Sequence, residues 1–391
     1  MTVVLAGGGT GGHVYPMIAV ADAIRNIAPA IGIVFVGTDR GLETRVVPER
    51  GYRLELMNVL PIRGSGVGGA LRGVGRASRA ILEAARLLRQ ISPSVVVSFG
   101  GYAAGPVSVA ARMLSVPLAL LEPNAVLGLA NRLLAPWVQR AYVAFEGAEH
   151  AFSPAVVLRT GVPIRNGFTP MDYRGVPGQM RLLVLGGSQG ARALNQVVPE
   201  ALALLGAPVD VVHQCGAKWE DDVRARYGSR AGNVRARVVT FIDDVPQALG
   251  EADLVIARSG ASAVSEICAI GRPSVLVPYP YASYDHQRLN ALALERAGAA
   301  VCIDSRDATA DGLSRLIQTL SSAPGRLLRM ARAARALGRP AAATMLAKDV
   351  LALASSRPSR PATASIVPSL VQHRGGAPGP ERRILVAREV A

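Results

Sequence analysis

Val3-Val4-Leu5-Ala6-Gly7-Gly8-Gly9-Thr10-Gly11-Gly12-His13 is the stretch that decides the fold class of this chain. A short, wholly apolar run reads as a strand buried on both faces of a parallel sheet. The glycines behind it let the backbone turn sharply and come close to a ligand. The helical pattern that follows offers free N–H groups and the positive end of a dipole, which suit phosphate or diphosphate. Leu182-Leu183-Val184-Leu185-Gly186-Gly187-Ser188-Gln189-Gly190-Ala191 repeats the arrangement in the second half. Two such units predict two nucleotide-fold domains facing each other across a cleft. One wall would hold a nucleotide-linked donor and the other a second substrate.

The chain has 391 residues, half of them hydrophobic, which is enough for two cores. Aromatic residues make up only 4%, so those cores must be built from Val, Leu, Ile and Ala. The formal charge is +15, and Lys218 and Lys348 are the only lysines among the cations. Such a balance fits phosphorylated substrates or anionic lipid. The scarcity of aromatic groups for base stacking argues against nucleic acid. Cys215, Cys268 and Cys302 lie far apart without metal-ligand spacing and read as buried free thiols in a reducing cytoplasm. No basic segment leads into an apolar one at the start, so no secretory leader is expected. No run reaches the roughly 18 apolar residues that span a bilayer, so any membrane contact is expected to be peripheral.

Strand patterns at 2–6, 32–37, 94–99, 117–121 and 141–145 alternate with helical ones at 14–28, 76–91, 103–114 and 127–136. That order predicts a parallel sheet covered on both faces. Gly161, Pro163, Gly167, Pro170, Gly175, Pro177 and Gly178 then crowd together, the signature of a linker. Strands follow at 181–186, 208–213, 236–241, 253–257, 274–278 and 300–303, and late helices at 309–321, 325–337 and 341–354. The expected organisation is a first Rossmann-like domain over 1–160 and a second over 161–338. A last helix over 339–354 packs back on the first domain, and 355–391, rich in Ser, Pro, Ala, Gly and Arg, forms a disordered tail.

Several loops fall at the carboxyl ends of strands, where open α/β sheets bind ligands. Gly8-Gly9-Thr10-Gly11-Gly12-His13 has too many glycines for a dinucleotide fingerprint and ends in a histidine, a candidate base tunable near neutral pH. A helix-capping role is the bland alternative for that histidine. Gly100-Gly101-Tyr102 follows Val95-Val96-Val97-Ser98-Phe99 and reads either as a second set of backbone donors or as a tight turn. Leu121-Glu122-Pro123-Asn124 ends another strand, with Asn124 able to donate and accept to a sugar or to cap a helix. In the second half, Arg258-Ser259-Gly260-Ala261-Ser262-Ala263-Val264-Ser265-Glu266 opens a helix with small residues, and Glu266 can accept both hydroxyls of a ribose. Asp285-His286-Gln287 with Asn290 is rich in groups that bind sugar hydroxyls. Arg63, Arg72, Arg76, Arg79, Arg86 and Arg89 stand against the single acid Glu83, beside a glycine-rich stretch over 64–75 read as a flexible loop. This suits an anionic membrane surface, with a solvated helix face as the alternative. No metal-binding pattern occurs.

Taken in order and spacing, these motifs, together with Phe241-Ile242-Asp243 and Gly161-Val162-Pro163-Ile164-Arg165, resemble the MurG family of bacterial glycosyltransferases over roughly residues 2–354. The resemblance implies an α/β GT-B architecture of two Rossmann-like, doubly wound parallel-sheet domains. It also implies inverting transfer of N-acetylglucosamine from UDP-N-acetylglucosamine to the C4 hydroxyl of undecaprenyl-diphosphate-linked muramoyl-pentapeptide, with no cofactor and no metal. Carried over by motif, substrate contacts fall on Thr10, Gly11, Gly12, Asn124, Arg165, Ser188, Ile242, Ala261, Ser262, Ala263, Val264, Ser265, Glu266 and Gln287, and His13 matches the proposed base. The implied location is peripheral, on the cytoplasmic face of the inner membrane. The family usually reads His-Glu-Gln-Asn where this chain has Leu121-Glu122-Pro123-Asn124. Two other readings stand beside it: another GT-B enzyme, such as a UDP-N-acetylglucosamine 2-epimerase or a lipid galactosyltransferase, and a non-catalytic nucleotide-sugar binding protein.

Overall fold

The computed structural model describes residues 1–59, 67–175, 179–187, 190–228 and 233–356, excepting the side chains of 67–74. The first half runs β1 (Thr2–Ala6), α1 (Gly11–Ile27), β2 (Gly32–Thr38), α2 (Glu43–Glu49), β3 (Arg53–Met57), α3 (Val67–Ile91), β4 (Val95–Ser98), α4 (Ala104–Met113), β5 (Leu118–Glu122), α5 (Leu129–Leu134), β6 (Arg140–Val143) and β7 (Val157–Arg159). The second half runs β8 (Met180–Leu185), α6 (Arg192–Ala203), β9 (Val209–Gln214), α7 (Glu220–Gly228), β10 (Val234–Val239), α8 (Val245–Glu251), β11 (Leu254–Ala257), α9 (Ala261–Ile270), β12 (Ser274–Leu276), α10 (His286–Arg296) and β13 (Ala300–Cys302). Helices α11 (Ala310–Ser321), α12 (Pro324–Leu337) and α13 (Ala342–Ser355) follow.

The strands form two sheets, β3-β2-β1-β4-β5-β6-β7 and β10-β9-β8-β11-β12-β13. Every pairing among the described residues is parallel. In each sheet the chain starts at a central strand, works outward to one edge, then crosses back and continues the other way. The loops after β1 and β4, and after β8 and β11, therefore meet at the switch point where such sheets hold ligands. Each sheet is buried on both faces, which is why its strands are continuous Val, Leu, Ile and Ala rather than alternating.

Helix α13 is the last of the described elements in sequence but belongs to the core of the first sheet. Leu346, Ala347 and Val350 are fully buried there beside Met17 and Ile18 of α1. Asp349 fixes the docking, accepting from the Tyr142 hydroxyl at 2.8 Å and from Arg140 Nε at 3.1 Å. Truncating a fully buried leucine such as Leu346 costs about 2–5 kcal/mol, so this helix is a strong clamp across the two halves.

The structure differs from the sequence reading in four places. Strand β3 was not expected; Arg53-Leu54-Glu55-Leu56-Met57 alternates because it is a half-exposed edge strand. Helix α2 and strand β7 are short and also went unread. The stretch expected to be a flexible glycine loop over 64–75 is helical from Val67 onward. A glycine costs only about 1 kcal/mol in a helix, which a long helix with a well-packed second half absorbs.

Two buried polar clusters hold the second half. Arg272, 2% exposed, donates to the carbonyls of Leu249, Met171, Gly271, Asp172 and Gly250. It thus caps the carboxyl ends of both α8 and α9, where helix dipoles favour a cation. The second cluster centres on His213 of β9, fully buried. Asn195 Nδ2 donates to the Cys215 carbonyl at 3.0 Å, so Asn195 Oδ1 is left to accept from His213 Nε2 at 3.1 Å. His213 Nδ1 then accepts from the Tyr227 hydroxyl at 3.0 Å. Both nitrogens are satisfied in the neutral ring, and burial pushes its pKa from 6.5 down to about 4.

This cluster makes stability depend on pH. The unfolded chain takes up a proton on His213 near its ordinary pKa, while the folded chain does not until about 4. Stability should therefore be complete above pH 6.5 and fall as pH drops through that window, by about 3 kcal/mol for this group. Denaturant midpoints at pH 7.5 and pH 5 sample about 2 kcal/mol of that loss. His213→Gln, which stays neutral, should lose less between the two pH values than the natural chain; an identical loss in both would remove His213 from the account.

Candidate active site

The first wall of the cleft is built around a carboxyl group. Glu43, fully buried, accepts from Gly9 N at 2.8 Å, from Thr38 N at 3.0 Å and from the Thr38 hydroxyl at 3.0 Å. Side chains at Gly8, Gly37 or Gly41 would overlap it. Part of the donor capacity of the first glycine loop is therefore used internally. The loop that follows β4 packs backbone to backbone against it: a Cβ on Gly101 would lie 2.5 Å from Gly8 O. Gly100, at φ +86, leaves room for the His13 ring, whose Cε1 would lie 3.0 Å from a Cβ there. The glycines of Gly100-Gly101 thus serve close packing, and one of them seats the candidate base.

Thr10 is the N-cap of α1 in extended conformation, without a capping bond from its hydroxyl, and Gly11 and Gly12 begin the first turn. His13 follows on that turn. Its Nδ1 is buried with no partner of hydrogen-bond geometry. Burial pushes the His13 pKa below its ordinary value, against the pull of the Phe99 backbone and Glu43, while His286 of the opposite lobe pushes the same way as burial. His13 is therefore neutral at pH 7 and able to accept a proton.

Glu122 at the end of β5 is also buried, and not a solvated loop carboxyl. It accepts from Asn124 N, Asn124 Nδ2, Gly128 N and Asn131 Nδ2 at 2.9–3.2 Å, which shapes the loop over 123–128. Burial raises its pKa, and those four bonds oppose the rise. Asn124 is carried across the cleft by Asn290, which is fully buried. Asn290 Nδ2 donates to Asn124 Oδ1 at 3.1 Å and to the Ser259 carbonyl at 3.1 Å, and its Oδ1 accepts from Ala125 N at 2.8 Å. Leu121, at the position where the resembling family carries histidine, points into the core.

The second wall is the start of α9. Gly260 is its N-cap, so Ala261, Ser262 and Ala263 present first-turn N–H groups, with Val264 turned to the core and Ser265 half-buried. Ser259 Oγ and Ser262 Oγ are buried without partners. Glu266, two turns in, meets Arg165 Nη2 at 3.3 Å; burial raises the Glu266 pKa and Arg165 lowers it. The Arg165 guanidinium lies 5.3 Å from the Tyr15 ring centroid and 5.7 Å from that of Phe168, so α1 of the first half and the linker both position it. Gln287 Oε1 accepts from Tyr279 N at 3.0 Å. Ile242 packs on the second core beside the exposed Phe241. Arg258 is used structurally, donating to the carbonyls of Val277 and Pro278 and to the Ser305 hydroxyl. Ser188 lies outside the described residues.

Beside the first wall opens a cavity of about 1470 Å³, lined by His13, Gly100, Tyr102 and Asn124 from one lobe and by Ser283, Tyr284 and His286 from the other. Sequence reasoning missed Glu43 and the cross-cleft role of Asn290. Asn290 was visible as part of a polar cluster. Glu43 carried no signal beyond the glycines around it, whose number exceeds what a phosphate loop needs.

Comparison with known proteins agrees with this geometry. Residues 3–143 match the Glycosyltransferase family 28 N-terminal domain and residues 181–346 the Glycosyltransferase family 28 C-terminal domain. A protein of Sorangium cellulosum (strain So ce56) is 54% identical over 359 residues, covering 90% of this chain and 89% of that one. It is named UDP-N-acetylglucosamine--N-acetylmuramyl-(pentapeptide) pyrophosphoryl-undecaprenol N-acetylglucosamine transferase, as is a relative from Anaeromyxobacter dehalogenans (strain 2CP-C), 45% identical over 91% of this chain and 94% of its own. The crystal structure of Acinetobacter baumannii MurG superposes with a TM-score of 0.75 at 31% identity, covering 90% of this chain and 99% of that one. The two parallel sheets with their facing loops are a GT-B fold, and the chain belongs to glycosyltransferase family 28 and, within it, to the MurG family of enzymes.

Proposed function

We propose that this chain transfers N-acetylglucosamine from UDP-N-acetylglucosamine to the C4 hydroxyl of undecaprenyl-diphosphate-linked N-acetylmuramoyl-pentapeptide, with inversion, to make the lipid-linked disaccharide precursor of peptidoglycan. The observation that carries the chemistry is the neutral, half-buried His13, its Nδ1 buried without a partner of hydrogen-bond geometry, at the wall of a cavity shared by both lobes. Inverting transfer needs one base to take the proton of the attacking hydroxyl, and His13 is that base. It also needs stabilisation of the diphosphate that leaves. The first-turn N–H groups of α1 at Gly11–Gly12 and of α9 at Ala261–Ala263 supply it as preorganised donors. Glu266, oriented by Arg165, accepts the ribose hydroxyls, and Ile242 and Gln287 lie on the same lobe for the base and the sugar. Asn124 joins from the opposite wall. Residues 1–160 and 161–338 are the acceptor and donor domains in this reading.

The test is incubation of the full chain with labelled UDP-N-acetylglucosamine, with and without lipid-linked muramoyl-pentapeptide. Acceptor-dependent transfer is expected. Conversion of the donor alone would favour an epimerase, and donor binding without turnover a binding protein.

His13 and Glu266 should give opposite kinetic signatures. His13→Ala is expected to lower kcat by about two to four orders of magnitude with little change in UDP affinity. Glu266→Ala should weaken UDP binding by the worth of a charged hydrogen bond, about 1.5–3 kcal/mol, with a smaller effect on kcat at saturation. Near-normal turnover in His13→Ala would make the histidine structural, and an unchanged UDP Kd in Glu266→Ala would remove the ribose contact.

The chain acts at an anionic membrane surface, on the cytoplasmic face where its nucleotide donor is found. Arg76, Arg79 and Arg86 of α3 are exposed and have no hydrogen bond or ion pair among the described residues, and Leu82 between them is 55% exposed. Leu129 and Leu133 of α5 extend the same apolar rim of the cavity. The side chains of Arg63 and Arg72 lie outside the described residues. Among the described residues no helix is long and apolar enough to cross a membrane. Each cation near an anionic surface contributes about 1 kcal/mol. Neutralising Arg76, Arg79 and Arg86 together should release the protein from anionic vesicles in sedimentation, most clearly at low salt. Transfer to a short-chain, water-soluble acceptor should survive. Equal sedimentation of both proteins would leave these arginines as a solvated helix face.

A further inference from the structure

Tyr284 is where the second lobe reaches into the large cavity. It sits in the short turn Ser283–Asp285 that leads into α10, and its side chain is exposed at 54% although it lines the same cavity as His13. Tyr284 and Asp285 both adopt left-handed backbone, at φ +53 and φ +54. That conformation costs on the order of 1 kcal/mol for each residue bearing a side chain. From the facing lobe, Arg132 of α5 brings its guanidinium to 5.9 Å from the Tyr284 ring centroid. Arg132 has no ion pair among the described residues. Tyr102, 55% exposed, faces the same cavity from the first lobe.

The donor groups of the second lobe lie elsewhere. None of Arg165, Ala261–Glu266 or Gln287 lines this cavity, whereas His13 does. A ligand beside Tyr284 therefore approaches the base from the acceptor side. We propose that Tyr284 is an acceptor-specificity residue. Its ring covers the apolar face of the acceptor sugar above His13, and Arg132 meets the adjoining anionic group. An aromatic ring gives a large, rigid contact with few rotatable bonds. Because the donor lobe carries this ring, bound acceptor bridges the two lobes. This inference rests on the transfer reading for the identity of its ligand.

The experiment measures binding of a water-soluble, short-chain analogue of the lipid-linked muramoyl-pentapeptide to the full chain by calorimetry, beside donor KM. Tyr284→Ala should weaken acceptor binding about tenfold, the equivalent of 1.4 kcal/mol. Donor KM should stay within about twofold, and Tyr284→Phe should bind acceptor like the natural chain. Tyr284→Gly separates ring from turn, because it relieves the left-handed strain: its Tm should equal or exceed that of the natural chain while acceptor binding still falls. Undiminished acceptor binding in Tyr284→Ala, or an equal rise in donor KM, overturns the proposal. A natural chain that binds the analogue through Tyr284 yet transfers no sugar overturns the transfer reading alone.

Discussion

The first lobe depends on one buried carboxyl. Glu43 ties the loop after β1 to the end of β2 by three hydrogen bonds, two of them from backbone N–H groups. Removing it would leave those donors buried and unpaired, each at a cost of about 1–3 kcal/mol. Its position also explains the glycines. Gly8, Gly37 and Gly41 surround the carboxyl at distances that exclude any side chain. The same loop then carries Thr10, Gly11, Gly12 and His13 into α1, so the seat of the candidate base is set by a residue thirty positions further along. The loop at Gly100-Gly101 completes the seat by backbone contact with Gly8 and by leaving space for the imidazole.

The lobes are joined by interactions of two kinds. Helix α13, which follows the second half in sequence, adds an apolar surface to the first core, a non-directional tie. Asn290 adds a directional one, binding Asn124 and Ala125 of one lobe and Ser259 of the other with all its bonds inside the protein. Ser259 immediately precedes the N-cap of α9, so the loop after β5 and the start of α9 share one amide. A buried amide tolerates little misalignment, since each unmade bond is penalised in a low-dielectric setting. The apolar tie holds the lobes together, and the buried amide adds direction to their placement.

Much of the fold was legible because parallel strands are buried on both faces and announce themselves as apolar runs. Strand β3 was hidden by the opposite circumstance, an edge position with Arg53 and Glu55 in the run. At the site, sequence reasoning found loops at the right sheet edges, since glycine-rich strand ends have few other uses. It read Gly8 as making room for a ligand and left Gly101 between ligand donor and tight turn, whereas a side chain at Gly8 would overlap Glu43 and one at Gly101 the Gly8 backbone. Buried polar partners such as Glu43, His213 and Arg272 were illegible for a common reason. A carboxyl, imidazole or guanidinium has no periodic signature, and its burial depends on partners scattered along the chain, as the five carbonyls around Arg272 illustrate.

The electrostatics of His13 link these features. Burial, the largest influence, favours the neutral ring and His286 adds to it, while the Phe99 backbone and Glu43 favour the charged ring. The carboxyl that holds the glycine loop in place therefore also offsets part of the penalty that burial puts on a proton at the candidate base. One residue thus sets both where the imidazole sits and how readily it takes a proton.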